Sequence, residues 1–160
     1  MPNQHSGAAL PRTLVAVALA LVAAVPVRAD APPSRADQLV TYRKALYQAV
    51  AWNVRPMGGM ASGKVPFDAK EFAQRATNVA ELTPMLAESF QPDSRQASST
   101  KLKSDAWANK ADFDSKLKAL VDSSAALAAT AKGTDAEATK KAFFALTDTC
   151  KSCHDKYKAD

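Results

Sequence analysis

Two thiols and one imidazole lie close together near the end of the chain. They form the pentapeptide Cys150-Lys151-Ser152-Cys153-His154. On a helix, residues three and four positions apart share a face, so both thiols and the imidazole lie side by side. Thiols at this spacing can add to the two vinyl groups of one haem, and the adjacent imidazole can then bind its iron. The motif therefore predicts a covalent c-type haem site.

Three other uses of the same residues stay open at this point. A structural zinc site needs four ligands, and the chain holds only two Cys and two His. A thioredoxin-like dithiol is typical of a helix N-terminus, where the helix dipole lowers the thiol pKa, whereas this pair falls near a predicted helix C-terminus. A plain disulfide within one helical turn would close with strain. The spacing favours haem over all three.

The first thirty residues have the pattern of an export signal. Residues 1–13 contain Arg12 and no acid, residues 14–25 are an unbroken apolar run, and a Val-Arg-Ala sequence ends at Ala29. A basic start, a short apolar core and a small-x-Ala end are typical of a secretory signal peptide. A helix of this length spans only about 18 Å, short of the roughly 30 Å hydrocarbon core, which disfavours a membrane anchor.

We predict cleavage after Ala29, with Ala31 as a second site. The chain is then a signal peptide, residues 1–29, and a mature domain, residues 30–160. The whole chain has a formal charge of +5, and the leader contains two Arg and no acid, so the mature domain carries +3. Because no basic run or aromatic-basic platform remains, nucleic acid is not a predicted partner, and neither is a membrane once the leader is removed.

Four segments of the mature domain have helical periodicity, and no segment of comparable strength has that of a strand. The chain has 47% hydrophobic residues and only five Gly, which fits one helical domain. The predicted helices cover residues 35–61, Asp68 to about Leu86, Ser104 to Gly133, and Thr134 to Tyr157. Together they predict an all-α fold, an antiparallel up-down-up-down four-helix bundle.

Several residues are predicted to mark the ends and breaks of these helices. Thr134-x-x-Glu137 is the clearest capping box, and Gly133 is expected to end the third helix as a C′ glycine. Pro84 is expected to break the second helix near its end or to begin a fresh turn towards Phe90. The Ser-rich and Pro-containing segment 91–103 is predicted to be a long surface loop.

The mature domain offers a haem iron one histidine and no evident second ligand. In an antiparallel bundle, the end of the last helix lies beside the first half of the first helix, which brings Arg43 and Tyr47 near the haem. Met57 and Met60 lie about 15 Å further along and are predicted to pack at the other end. Met85 returns to the haem end, where it can line the pocket. The favoured interpretation is five-coordinate iron; the alternative is a low-spin electron carrier with Met85 as sixth ligand.

A Cys-x-x-Cys-His motif near the C-terminus of a four-helix chain resembles the cytochrome c′ family, the high-spin branch of class II c-type cytochromes. The likeness spans nearly all of the mature domain. The stretches that carry it are Tyr42-Arg43-Lys44, Gly63-x-x-Pro66-Phe67-Asp68-Ala69, Trp107 with Phe113, Ala142-Phe143 and Cys150–Tyr157. It implies a periplasmic protein with haem c, usually a homodimer, that transfers electrons to or from a redox partner and binds NO and CO. Such a protein is a carrier and not an enzyme.

The resemblance also implies roles for single residues. Cys150 and Cys153 would hold the haem, and His154 would be the proximal ligand. Arg43 matches a residue that contacts a haem propionate, with a solvated surface position as the alternative. Tyr47 matches the distal residue that shields the vacant iron face, with simple core packing as the alternative. At the position of Lys158 the family often has Arg, so a role that needs the planar fork of Arg is in doubt.

Overall fold

The predicted helices are present, and the third is divided in two. The computed structural model describes residues 32–159, so the predicted signal peptide, residues 1–29, lies outside the described residues. The helices are α1 (Arg35–Ala61), α2 (Ala69–Glu88), α3 (Asp105–Ala108), α4 (Lys110–Thr130) and α5 (Ala136–Tyr157). Within the described part, no helix combines the length and apolarity needed to cross a bilayer.

Side-chain caps explain where the helices begin. Ser34 accepts a hydrogen bond from the backbone N–H of Asp37 at 3.1 Å, and Asp68 accepts one from Glu71 at 2.9 Å. Each cap satisfies one of the amide donors that the first helical turn leaves unpaired. The predicted starts of α1 and α2 are thereby confirmed.

The predicted junction between α4 and α5 is wrong in detail. The capping residue of α5 is Asp135, whose carboxylate accepts the N–H of Ala138 at 2.9 Å, and not Thr134. Aspartate caps at least as well as threonine, so the helix starts one residue later than the capping box suggested. Gly133 is not a left-handed C′ glycine, because among the described residues only Gly63 has a positive φ, at 73°.

Pro84 does not break α2, which continues to Glu88. The last turn is held by tertiary contacts, because Leu86 is fully buried and the carbonyl of Ser89, next after the helix, accepts a hydrogen bond from Arg43. The predicted third helix is instead divided at Asn109, whose φ of −114° and ψ of 48° leave the helical region.

The bundle has one apolar cluster at each end. Helix α1 packs mainly on α2, α2 on α4, and α4 on α5, while α1 and α5 touch over only a small area. The far-end cluster is formed by Met57, Met60, Phe72, Val79, Leu127, Phe143 and Leu146 with neighbouring alanines. The cavity-end cluster is formed by Leu46, Leu86, Phe90, Ala106, Phe113, Leu117 and Tyr157. The all-α bundle is confirmed. Its contact between α1 and α5 is much smaller than those of α1 with α2, α2 with α4 and α4 with α5.

Candidate functional site

An apolar cavity of about 370 Å³ lies where the first half of α1 meets the end of α5. Arg43 and Tyr47 line it from α1, and Cys153 and His154 line it from α5. Its apolar walls are Val40, Ala51, Phe90, Leu102, Phe113 and Tyr157. Four of the six predicted site residues therefore share one cavity. The pair on α1 and the pair on α5 lie more than 100 positions apart in sequence.

Cys150 and Cys153 are free, partly buried thiols on one side of α5. Cys150 packs against the far-end cluster and Cys153 against the cavity-end cluster. Burial raises the pKa of both thiols, and at Cys153 the charge of Lys116 opposes part of that rise. A catalytic dithiol needs the opposite shift, so the pair is not set up as a redox dithiol. Within residues 32–159, no three His, Cys, Asp or Glu side chains converge as metal ligands do.

His154 presents a neutral imidazole at the cavity. Burial lowers its pKa, the nearby charge of Lys158 lowers it further, and Asp155 opposes both. The neutral ring keeps a nitrogen lone pair free, which is the form that binds a metal ion.

Tyr47 faces His154 across the cavity. The two ring centroids are 6.2 Å apart, and the Tyr47 ring meets the edge of Phe90 at 6.5 Å. Burial, helped by the neighbouring Cys153 thiol, raises the pKa of Tyr47 well above its ordinary value. The hydroxyl is therefore protonated throughout the neutral range.

Arg43 is a buried cation at the cavity wall, with only 5% of its surface exposed. Its Nη2 donates to the carbonyl of Ser89 at 2.7 Å and to the hydroxyl of Ser94 at 3.1 Å. Its guanidinium carbon lies 4.0 Å from the centroid of the Phe90 ring. Arg43 thus ties α1 to the end of α2 through its Nε and Nη2, and none of these hydrogen bonds uses its Nη1.

The loop after α2 closes one side of the cavity, a role that the sequence did not indicate. Thr100, Lys101 and Leu102 line the cavity. The carbonyl of Lys101 accepts the N–H of Ala159 at 2.8 Å, and the N–H of Lys103 donates to the carbonyl of Tyr157 at 2.9 Å. The polar composition of the loop predicts only that it is exposed. It does not predict the backbone hydrogen bonds to the end of the chain, because their partners are distant in sequence.

Tyr157 fixes the last turn of α5 against α4. It is 1% exposed, and its hydroxyl donates to Asp112 Oδ2 at 2.5 Å. Its ring meets the edge of Phe113 with a centroid separation of 5.1 Å. Since His154 lies one turn earlier on α5, these contacts set its position at the cavity.

The structure corrects the placement of Met85. Its side chain is 48% exposed and does not line the cavity, whereas the next residue, Leu86, is fully buried. Successive helical residues point about 100° apart, so burying Leu86 turns Met85 towards solvent. The prediction that Met85 lines the pocket is wrong, and no contact supports it as a ligand.

Comparison with known proteins identifies the family. The family model described as Cytochrome C' matches residues 38–158. The chain belongs to the cytochrome c′ family. Cytochrome c′ from Halomonas halodenitrificans is 30% identical over 129 residues, which cover 78% of this chain and 98% of that protein.

Solved cytochromes c′ share the fold. The protein from Shewanella frigidimarina has 42% identity and a TM-score of 0.75, with 79% of this chain and 98% of that chain covered. A nitric oxide complex of a variant from Alcaligenes xylosoxidans has 23% identity and a TM-score of 0.73, with 81% and 100% covered, and its likeness is one of fold. The predicted family and bundle are both confirmed.

Cytochromes c′ carry covalent haem c, and the described residues fit that group. Cys150 and Cys153 are the two cysteines of the chain, and both are free. The cavity beside them is apolar, as a porphyrin requires, and it offers a neutral imidazole and the guanidinium of Arg43. The predicted cofactor, haem c, is therefore confirmed.

Proposed function

We propose that this cytochrome c′ family member is a periplasmic carrier whose haem iron is bound by His154 and is open on the side of Tyr47. Cys150 and Cys153 would hold the haem through thioether bonds, and Arg43 would meet a propionate through its Nη1. Haem c supplies reversible one-electron chemistry and a coordination position for a small gas molecule.

The composition of the cavity wall carries this proposal. Among the described lining residues, His154 is the only histidine and none is methionine. Tyrosine binds haem iron in some proteins, but the raised pKa of Tyr47 opposes the phenolate that such binding uses. The distal side is thus shielded by Tyr47 without being closed by it.

The same wall favours small uncharged ligands. NO and CO can bind in an apolar cavity without a hydrogen-bond donor, whereas bound O₂ benefits from one, for which the protonated Tyr47 hydroxyl is the candidate in this wall. A fold neighbour has been described as a nitric oxide complex, which is consistent with this use. We propose gas binding and single-electron transfer as uses of one site, since both need an accessible iron or haem edge.

Optical and electron paramagnetic resonance spectra of the ferric holoprotein test the open coordination position. We expect a high-spin ferric signal and, after reduction, prompt binding of added NO. The Met85→Leu variant serves as a control and should give the same spectra, because Met85 lies outside the cavity. A low-spin spectrum with the far-red charge-transfer band of an iron–methionine bond would contradict the proposal.

Export is a separate part of the proposal and has its own test. Intact mass analysis of the periplasmic fraction should give residues 30–160, or residues 32–160 after cleavage at the second site, plus one haem. A cytoplasmic, haem-free product that retains residues 1–29 would overturn both the leader assignment and the periplasmic location.

We also propose a homodimer, as the family resemblance implies. Trp52 is 73% exposed on α1, and tryptophan is enriched in protein–protein interfaces, which makes this face the candidate for contact with a second copy. Sedimentation equilibrium of the holoprotein should give twice the monomer mass, and a Trp52→Glu variant should shift it towards the monomer. A monomer at all concentrations would contradict this.

A further inference from the structure

Positive charge is concentrated around the cavity. Arg43, Lys44, Lys101 and Lys158 all line it, and no Asp or Glu among the described residues does. None of these four cations takes part in the salt bridges formed within residues 32–159. The cavity lining within residues 32–159 therefore carries positive charge with no carboxylate among its members.

Three of these cations form an exposed group, which we call the lysine rim: Lys44, Lys101 and Lys158. They come from α1, from the loop after α2 and from the segment after α5, so only the fold brings them together. Arg43 is different, because it is buried and bonded to Ser89 and Ser94.

Three carboxylates in or near these segments already have partners within residues 32–159. Asp155, on the last turn of α5, pairs with Lys151 at 2.5 Å. Asp112 accepts from Lys156 and Tyr157. Asp37, in the first turn of α1, accepts from Ser34 and Ser98. A haem in the cavity adds two propionates, which the four lining cations outnumber.

We propose that the lysine rim docks an acidic surface of a redox partner protein next to the haem edge. The inference rests on the proposed function only in placing the haem in this cavity. Exposed lysines around an electron-transfer site attract an acidic partner, increase its association rate and orient it. The desolvation cost is small because lysines at the rim remain hydrated in the complex. Three separate elements present these charges, which suits a broad acidic surface better than one small anion.

The test compares two holoprotein variants of equal net charge. The rim variant is Lys44→Gln/Lys101→Gln/Lys158→Gln. The control variant is Lys64→Gln/Lys132→Gln/Lys141→Gln, whose lysines are exposed, outside the cavity and free of salt bridges with described residues. Calorimetric titration with a hexaglutamate peptide measures docking directly, at ionic strengths of about 0.01 M and 0.3 M, which bracket strong and weak screening.

We expect hexaglutamate to bind the unmodified and control holoproteins at low salt and to be released at high salt. The rim variant should bind about tenfold more weakly. Oxidation of the ferrous protein by anionic ferricyanide should slow in the rim variant alone, and oxidation by cationic hexaammineruthenium should accelerate. If Lys158→Gln disturbs folding, judged by circular dichroism, the Lys44→Gln/Lys101→Gln variant replaces it with the same expected directions.

Equal losses in both triple variants would assign the effect to net charge and overturn the proposal, as would unchanged binding in the rim variant. Rim-dependent binding to vesicles containing anionic phosphatidylglycerol, without binding to hexaglutamate, would assign the rim to a lipid surface and overturn it too. A low-spin spectrum would contradict the open iron position and leave the docking result unaffected, so the two proposals fail separately.

Discussion

Tyr47 and His154 give the cavity two side chains with different abilities to bind a metal ion. One presents a neutral imidazole, and the other presents a protonated phenol on the opposite wall, with the ring centroids 6.2 Å apart. The first can bind a metal, and the second resists binding one at neutral pH. This asymmetry supports the proposal of an iron with one open side.

Replacing Tyr47 with methionine should close that side. Methionine is flexible and carries a thioether ligand, and position 47 faces His154 across the cavity. We expect ferric Tyr47→Met to convert from high spin to low spin and its affinity for CO in the ferrous state to fall at least tenfold. Optical spectra and CO titration measure both. Tyr47→Phe is the matched control and should stay high spin; a high-spin Tyr47→Met protein would contradict the assigned geometry.

Arg43 has a structural role that is separable from any contact with a cofactor. Substitution by methionine keeps much of the side-chain volume but removes the donors to Ser89 and Ser94. Losing a buried charge-assisted hydrogen bond to a carbonyl costs about 2–3 kcal/mol. Guanidinium unfolding of the holoprotein should show this loss for Arg43→Met and a smaller one for Arg43→Lys. Equal stability of all three proteins would show that the bonds to Ser89 and Ser94 contribute nothing.

The sequence predicts site residues that belong to a local motif or whose position follows from the order of the helices. It does not predict residues whose contacts form only in the folded bundle. Cys150, Cys153 and His154 are read from one pentapeptide, and the topology of the bundle places Arg43 and Tyr47. Ser89 and Ser94 carry no local signal, because their partner lies more than 40 positions earlier. The outward direction of Met85 depends on which neighbour is buried, which periodicity alone did not settle beside Pro84.

At the scale of elements, helix starts were predictable to within a residue, and helix interruptions were not. Ser34 and Asp68 cap the predicted helices, whereas adjacent Thr134 and Asp135 are both good caps and only the structure selects one. Pro84 lowers local helix propensity, but burial of Leu86 outweighs it. Local sequence signals thus predict the end of a helix where a single capping residue is available. They fail where tertiary packing determines whether the helix continues.

The cap of α5 can be tested with neighbouring substitutions. Asp135→Ala removes the acceptor for the Ala138 N–H and should lower the free energy of unfolding by about 1 kcal/mol. Thr134→Ala, one position earlier, should change it by less than about 0.5 kcal/mol. Thermal and denaturant unfolding of both variants measure the difference. The reverse ranking would restore Thr134 as the cap.

Asp37 couples the loop after α2 to α1 in a pH-dependent way. Hydrogen bonds from Ser34, and then from Ser98, hold the pKa of Asp37 below its ordinary value. The folded state therefore favours the carboxylate, and its stabilising effect is complete above about pH 4 and is lost as pH falls through the lowered pKa. The protection factor of the Ser98 amide, which corrects for the intrinsic pH dependence of exchange, should fall over that acid range. Asp37→Asn should show fast exchange already at neutral pH; slow exchange in this variant would separate the loop from Asp37.

At the scale of the whole molecule, the two apolar clusters give the bundle two regions of different stability. The far-end cluster is continuous and well buried, while the cavity-end cluster surrounds a space of about 370 Å³. Packing at the far end does not involve the cavity, so it can form without a cofactor. Packing around the cavity leaves apolar walls without partners until the space is filled.

Leu127 and Phe113 report on the two regions. Leu127→Ala, at a fully buried far-end position, should cost about 3 kcal/mol both in the holoprotein and in a Cys150→Ala/Cys153→Ala chain without haem. Phe113→Ala should cost more in the holoprotein than in the chain without haem, because its ring lines the cavity. Denaturant unfolding of the four variants and their two parent proteins measures both differences. Equal costs for Phe113→Ala in the two backgrounds would contradict two separable regions.

The order of elements along the chain has a consequence for biogenesis. A chain is made from its N-terminus, so α1, α2, the loop and α4 all exist before Cys150 is synthesised. Docking of α5 on α4 buries both thiols and holds them protonated, which makes them slow nucleophiles. Haem ligation must therefore compete with closure of the bundle. The Tyr157–Asp112 hydrogen bond, which fastens the last turn of α5 to α4, is one of the contacts that this closure forms.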